Sequence, residues 1–298
     1  MTEAELEIVR SAFARQILAV AGVAGNEALE RAFRTVRRED FLGSKPWSII
    51  DFAKGPRRLP SNDPVYACQD VVFVLAGERG VNNGSPALHA RMLDALAPKP
   101  GETVVHLGAG TGYYSAILSH LVGPEGRVIA VEIDPRLAAR AEEELQRYAN
   151  VEVLVGDAAE WPQREADGVY VNFAVMAPSD RWIERLAPDG RLVVPLGVPA
   201  QPPRPGAPRF SRHGGAFLFR RDAGGGEYHA SRLCNAFFIF AEGSTGTIDE
   251  AEEASLRDAF RGPGAEFVRS LVWKRPADPA RCWISTPRWS LSYDPVKQ

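Results

Sequence analysis

Apolar residues recur at intervals of three and four at the start of the chain: Leu6, Val9, Phe13, Ile17 and Val20. That spacing predicts an amphipathic helix over residues 3–21. Asn26 is placed to cap a second helix carrying Leu29 and Phe33. The next segment, Val36-Arg-Arg-Glu-Asp-Phe-Leu42, reads as a solvated charged turn anchored by Phe41. Residues 43–80 read as loop, given Pro46, Pro56, Pro60 and Pro64 and the basic residues Lys54, Arg57 and Arg58. Within them only Val71 to Leu75 has the continuous apolar character of a strand. Val81-Asn-Asn-Gly-Ser-Pro86 is dense in turn formers, and Ser85 before Pro86 predicts an N-cap and a first helical residue. The helix it opens runs to Leu96, with Leu88, Met92 and Leu96 on one face. His89 reads as a packing or surface residue.

Beyond residue 100 the pattern changes to short apolar runs separated by turns and helical stretches. Residues 103–107, 127–133, 151–155, 168–174 and 191–196 each read as a buried strand. Ile117, Leu118 and Leu121, and later Trp182, Ile183 and Leu186, mark helices among them. Strands alternating with helices predict an α/β, doubly wound, mostly parallel sheet. Residues 199–208 hold Pro199, Pro202, Pro203, Pro205 and Pro208, a stiff crossover or surface loop. Residues 216–220 and 233–240 then read as a hairpin across Gly224-Gly-Gly226. A helix over 250–261 and two aromatic strands near 266–274 and 282–289 follow. The expected organisation is a helical and loop lead-in (1–80), a core (81–240) and a small α+β extension (241–298).

The run Thr103-Val-Val-His-Leu-Gly-Ala-Gly-Thr-Gly-Tyr113 adds chemistry to this pattern. A strand, a turn with Gly108, Gly110 and Gly112, and a helix from about Tyr113 form one nucleotide-binding half of such a sheet. Glu132 ends the second strand 20 residues past Gly112, where a carboxylate takes ribose hydroxyls. Gly156-Asp157 closes the third strand. Singly, Glu132 reads equally well as an exposed strand-end acid and Asp157 as a helix cap. In register with the glycine turn they mark one ligand-binding rim. A dinucleotide fingerprint wants a further glycine where Tyr113 stands, which argues against NAD.

Composition narrows the partners. The 298 residues carry a net charge of −3 and a pI near 6.0, not the basic footprint of a nonspecific nucleic-acid binder. Cys68, Cys234 and Cys282 form no CxxC pair and the histidines show no ligand spacing, so neither a disulfide framework nor a metal is expected. With no signal peptide and no run of 18 apolar residues, a cytoplasmic protein without membrane contact is expected.

The Gly-x-Gly-x-Gly spacing, the acid after strand two and the Gly-Asp after strand three resemble the class I S-adenosylmethionine-dependent methyltransferases. Val36-Arg-Arg-Glu-Asp-Phe41 resembles the Val-Pro-Arg-Glu-x-Phe of protein-L-isoaspartate O-methyltransferases, as do Gly84-Ser-Pro86, Val131-Glu-Ile133, Gly156-Asp157 and Gly190-Arg-Leu-Val-Val-Pro195. The resemblance covers roughly residues 27–240. It implies a mostly parallel seven-stranded, Rossmann-like sheet with N-terminal helices, with S-adenosyl-L-methionine as cofactor. It also implies transfer of a methyl group to the carboxylate of an isoaspartyl residue in a protein or peptide, a repair step. The implied cofactor contacts are His106, Gly108, Ala109, Gly110, Thr111, Gly112, Tyr113, Glu132, Ile133, Asp157, Ala158 and Asn172.

Asn172-Phe-Ala-Val175 does not match the Asn/Asp-Pro-Pro-aromatic tetrad of base and amine N-methyltransferases. The family's active-site serine falls on Gly84, so Asn82, Asn83 and Ser85 are the expected acceptor-binding residues. They would hold a carboxylate through side-chain and backbone N–H groups at the helix start, and Gly84→Ser is expected to leave the rate unchanged or raise it. The alternatives are a methyltransferase for another carboxylate or hydroxyl, in a modified peptide or small molecule, and a cofactor-binding module without turnover.

Overall fold

Capping chemistry opens the helices where the sequence places them. Thr2 accepts from the backbone N–H of Glu5 while the Glu5 carboxylate accepts from that of Thr2, starting α1 (Glu3–Ala21). Asn26 accepts from the Leu29 N–H at 3.0 Å and starts α2 (Glu27–Thr35). The computed structural model describes residues 1–51, 54–200, 210–224, 226–245 and 248–296. The chain divides into two units, Met1–Glu102 with Ala109–Val155, and Thr103–Gly108 with Gly156–Gln298.

In the first unit, the segment after α2 is not the solvated turn its charges suggest. Arg38–Leu42 forms a tight 3₁₀ turn in which Arg38 and Glu39 are buried along with Phe41. Glu39 is neutralised by Arg10 of α1 at 2.5 Å, a partner 29 residues away that no local pattern reveals. Nor is 43–80 simply loop. β1 (Ser48–Asp51) and β2 (Gly55–Arg58) form an antiparallel hairpin, and Trp47, Ile49, Leu59 and Phe73 pack into a satellite core beside it. The expected strand at 71–75 shrinks to β3 (Val74–Ala76), paired with β4 (Val81–Asn82). Ser85 then caps α3 (Pro86–Leu96).

The chain leaves this unit for β5 (Thr103–Leu107) and returns at Ala109 for α4 (Tyr113–Val122), β6 (Arg127–Glu132), α5 (Pro135–Leu145) and β7 (Val151–Val155). β6 and β7 are parallel, with Val128 opposite Val151.

In the second unit β5 runs parallel to β8 (Ala166–Val171), which runs parallel to β9 (Leu186–Pro199), with α6 (Asp180–Glu184) on the connection. A hairpin follows as expected, but its first strand is longer, β10 (Ser211–Arg221), and its second, β11 (Tyr228–Asn235), lies five residues earlier than the expected 233–240; β10 is antiparallel to both β9 and β11. After α7 (Glu250–Arg261), β12 (Ser270–Trp273), β13 (Cys282–Ser285) and β14 (Trp289–Ser292) continue the same sheet beyond β11 in the order β12-β14-β13. The extension therefore adds strands to the sheet rather than standing apart. Pro202, Pro203, Pro205 and Pro208, and Gly225 of the expected glycine turn, lie outside the described residues. Parallel strands with intervening helices are the α/β pattern read from the sequence. No described helix is long and apolar enough to cross a membrane.

Candidate active site

The glycine turn has the backbone its sequence requires: Gly108, Gly110 and Gly112 have φ of +76°, +59° and +94°. A Cβ at 108 would reach 2.6 Å from the Phe173 ring, and one at 112 would reach 2.6 Å from Leu145. At Gly110 a Cβ would meet only Leu75, at 3.8 Å, so the backbone there faces open space.

Glu132, at the end of β6, is buried beneath this turn. One carboxylate oxygen accepts from the Gly110 N–H at 2.7 Å and the other from the Asp134 N–H at 3.0 Å. Burial raises its pKa above the ordinary glutamate value, and those N–H groups only partly offset the rise. A carboxylate has about four acceptor sites, so acceptor capacity for a hydroxyl remains beyond these backbone contacts. Asp134 caps α5 and is paired with Arg79.

Other sequence-predicted contacts play internal roles. The Thr111 hydroxyl donates to the Phe41 carbonyl at 2.6 Å, tying the glycine turn to the buried turn after α2. Tyr113 is buried against Phe33, Phe41 and Tyr114. His106 is buried on β5 against Tyr170, and burial lowers its pKa to about 3, so it is neutral. Ala109 donates its N–H to Val131 and Ile133 is half-buried. Asn172 donates its N–H to Leu107, and the Ala158 carbonyl accepts from the Trp182 indole at 2.9 Å.

Asp157 is more heavily engaged than its place after β7 suggests. One oxygen accepts from the Ala159 N–H and the Thr245 hydroxyl, the other from the N–H and hydroxyl of Ser244. Burial alone would raise its pKa, but these bonds hold it below the ordinary value. Ser244 and Thr245 carried no recognisable motif.

Arg38 organises the segment around Asn83 and Gly84. Its guanidinium is buried and donates to the Asn83 side-chain oxygen (2.7 Å) and to the carbonyls of Ala67 (3.4 Å), Gln69 (2.9 Å), Val71 (2.8 Å) and Gly84 (3.0 Å). The rings of Phe73 and Tyr113 lie beside it. Asn82 closes its own turn, accepting from the Gly84 N–H and donating to the Gly80 carbonyl. The Ser85 hydroxyl donates to Asp70 at 2.8 Å and accepts from the Leu88 N–H, while the Ala87 N–H donates to the same Asp70 oxygen. The His89 N–H goes to the Ser85 carbonyl. The N–H groups of Ala87, Leu88 and His89 in the first turn of α3 are therefore already engaged, which leaves the Ser85 N–H as the backbone donor at the helix start without a partner among the described residues. The Asn83 amide nitrogen likewise makes no hydrogen bond among the described residues, while its oxygen is held by Arg38.

Gly84 has φ +71°, and a Cβ there would collide with the His89 ring, coming within 2.8 Å of Cδ2. His89 is fully buried and stacks on Tyr114 with centroids 3.7 Å apart, so the collision cannot be relieved by rotation into solvent. The histidine is a packing residue, and it is the reason this position has no side chain.

The fold is that of the class I S-adenosylmethionine-dependent methyltransferases. A solved protein-L-isoaspartate O-methyltransferase superposes with a TM-score of 0.62 at 23% identity, covering 78% of this chain and 67% of that one. A Plasmodium falciparum structure described as the same enzyme, in complex with S-adenosyl-L-homocysteine, gives 0.58 at 15% identity, covering 78% of this chain and 98% of that one. In sequence, the Aeropyrum pernix protein-L-isoaspartate O-methyltransferase is 43% identical over 181 residues, 58% of this chain and 68% of the relative. Residues 15–204 match the family model for protein-L-isoaspartate(D-aspartate) O-methyltransferase, and the chain belongs to that family.

Two stability predictions follow from this geometry. Arg38→Lys removes the planar fork, leaves several buried carbonyls unpaired and should cost about 3 kcal/mol or more in denaturant unfolding. Gly84→Ser should destabilise by about 2 kcal/mol or more, combining left-handed backbone strain with overpacking. His89→Ala in the same chain should recover part of that loss. Equal stability of Gly84→Ser and wild type would contradict the packing described.

Proposed function

We propose that this chain transfers a methyl group from S-adenosyl-L-methionine to the free carboxylate of isoaspartyl residues in proteins or peptides, a repair reaction. The observation that carries the reading is Glu132: a buried carboxylate with acceptor capacity left over, beneath a glycine turn open at Gly110, in a member of this family. Glu132 holds the ribose hydroxyls. The backbone of Gly108, Ala109, Gly110 and Gly112 lies along the ligand, with Ile133 and Ala158 as apolar contacts and His106, Thr111, Tyr113 and Asn172 holding the strand ends and turn in shape. When bound, the cofactor supplies a methyl group already activated by a sulfonium.

The acceptor needs no base, because a carboxylate is ionised at pH 7. This chain's task is to orient it and exclude water, a proximity effect worth several kcal/mol. Asn83 is the residue we assign to hold the acceptor, donating from its amide nitrogen. Arg38 fixes which end of that amide faces outward, and Asn82 and Ser85 set the turn. Negative charge is lost as the ester forms, so a strong anion hole would oppose the reaction. A single neutral donor suits it better.

Asp157 makes a second case. To accept from the amino group of adenine it must release Ser244 or Thr245, because its four acceptor sites are filled.

Three measurements test these assignments. With a short isoaspartyl peptide and its aspartyl twin as control, wild type should methylate only the former. Asn83→Asp keeps the bond to Arg38 but turns the outward donor into an acceptor, so it should raise KM for the peptide without lowering the melting temperature. No transfer to the isoaspartyl peptide, or an unchanged KM, would refute the reading.

Calorimetry with S-adenosyl-L-homocysteine should show Glu132→Ala binding about 1–3 kcal/mol more weakly. The raised pKa fixes the pH sense: Glu132 takes up a proton at higher pH in the folded, ligand-free protein than in the unfolded chain. Its ionised form therefore costs stability at neutral pH, a cost relieved as pH falls through the raised value. Affinity should fall over that same window in wild type and stay flat in Glu132→Gln.

Removing the hydroxyls in Ser244→Ala/Thr245→Ala should tighten homocysteine-product binding if Asp157 meets the adenine. Unchanged affinity with lower stability would leave Asp157 as an anchor alone.

A further inference from the structure

A half-open groove of about 330 Å³ lies in the second unit, lined in part by Arg212, His213, Arg232 and Phe237 from β10, β11 and the segment after them and by Phe260 and Trp283 from the extension. Every lining residue lies beyond residue 204, where the match to the family model ends. The groove exists because the sheet is left unfinished. β12 pairs only with Tyr228 and His229, so the outer edge of β11 from Ser231 to Asn235 has no strand partner among the described residues, and Arg232 and Asn235 line the groove instead. Glycine makes room on the facing strand: a Cβ at Gly215 would come 3.2 Å from Arg232 Nε.

The lining has two parts with different chemistry. Arg212 and Arg232 have no carboxylate partner among the described residues, and Arg232 donates only to the Asn235 side chain. The acidic side chain in the lining, Glu266, already accepts from the Gly264 N–H at 3.1 Å. Two guanidinium groups and an imidazole thus outnumber one carboxylate, and a guanidinium fork recognises planar oxyanions. Opposite in character are the aromatic residues. Trp283 meets Phe260 edge-on with centroids 4.9 Å apart, and Phe237 is 58% exposed. Trp283 is otherwise buried, yet its indole N–H has no hydrogen-bond partner among the described residues. The groove is thus mainly polar, with aromatic side chains at one part of its lining, and its volume is suited to a small charged molecule rather than an apolar one.

We propose that this groove binds a small organic oxyanion, a carboxylate or a phosphate, that carries a planar ring. Arg212 and Arg232 take the oxyanion and Phe237, Phe260 and Trp283 take the ring. The site is shared between the β10–β11 hairpin and the extension, and it is independent of the methyl-transfer assignment.

The full chain can be titrated with phenyl phosphate and with phenylacetate, using inorganic phosphate and benzyl alcohol as half-probes. Calorimetry and tryptophan fluorescence are the readouts. Saturable binding is expected for one or both ring-bearing anions, and which one binds identifies the oxyanion. Each half-probe should bind at least about tenfold more weakly. Arg232→Gln should weaken binding about tenfold with little change in melting temperature, and Trp283→Phe should remove most of the fluorescence change while calorimetric binding persists. Should Arg232→Gln fold poorly, Arg212→Gln, at an exposed side chain, carries the same comparison. No saturation by either anion up to about 10 mM, a half-probe binding equally well, or unchanged affinity in both arginine variants would overturn the assignment.

Discussion

A buried guanidinium that forms no salt bridge among the described residues holds the turn before α3 together. Each of the five N–H donors of Arg38 has a neutral oxygen to meet, four of them backbone carbonyls from two separate segments, 67–71 and 84. Burial pulls its pKa down, but a delocalised guanidinium keeps its proton where an ammonium would not. The result is a rivet between stretches of chain that have little regular structure of their own. It also settles an ambiguity that an amide side chain usually leaves open. With the Asn83 oxygen facing a pure donor, the nitrogen must face the other way. The chemistry on offer at residue 83 is therefore set at residue 38.

The core elements were legible because they rest on local rules. Period and capping placed α1, α2, α3 and α7 within a residue or so, and the alternation of apolar runs with turns placed β5, β6 and β7. The positive-φ glycine turn and the position of Glu132 at the end of β6 followed from spacing, since a tight turn between strand and helix allows few alternatives. What the sequence hid was long-range. Glu39 and Arg38 look solvated until Arg10 and the 67–84 carbonyls arrive to pair with them. Asp70 as the partner of Ser85, and His89 as the occupant of the space over Gly84, arise from segments brought together only by folding. The hairpin at 48–58 was masked by prolines and basic residues that sit on its exposed face.

Asp157 shows how a segment distant in sequence takes hold of a strand-end carboxylate. A carboxylate after the third strand is a ready acceptor, and the segment just beyond β11 supplies three donors for it from two adjacent residues. The same tail that widens the sheet with β12, β13 and β14 thus makes its own connection to the loop after β7. Folding of the extension and the state of that loop are linked through one side chain.

The contact between Gly84 and His89 also constrains how this sequence can change over time. A serine at 84 and a histidine at 89 compete for one volume, so the cost of a side chain at either position depends on what stands at the other. The two positions, and the ring of Tyr114 stacked on the histidine, act as one packing unit.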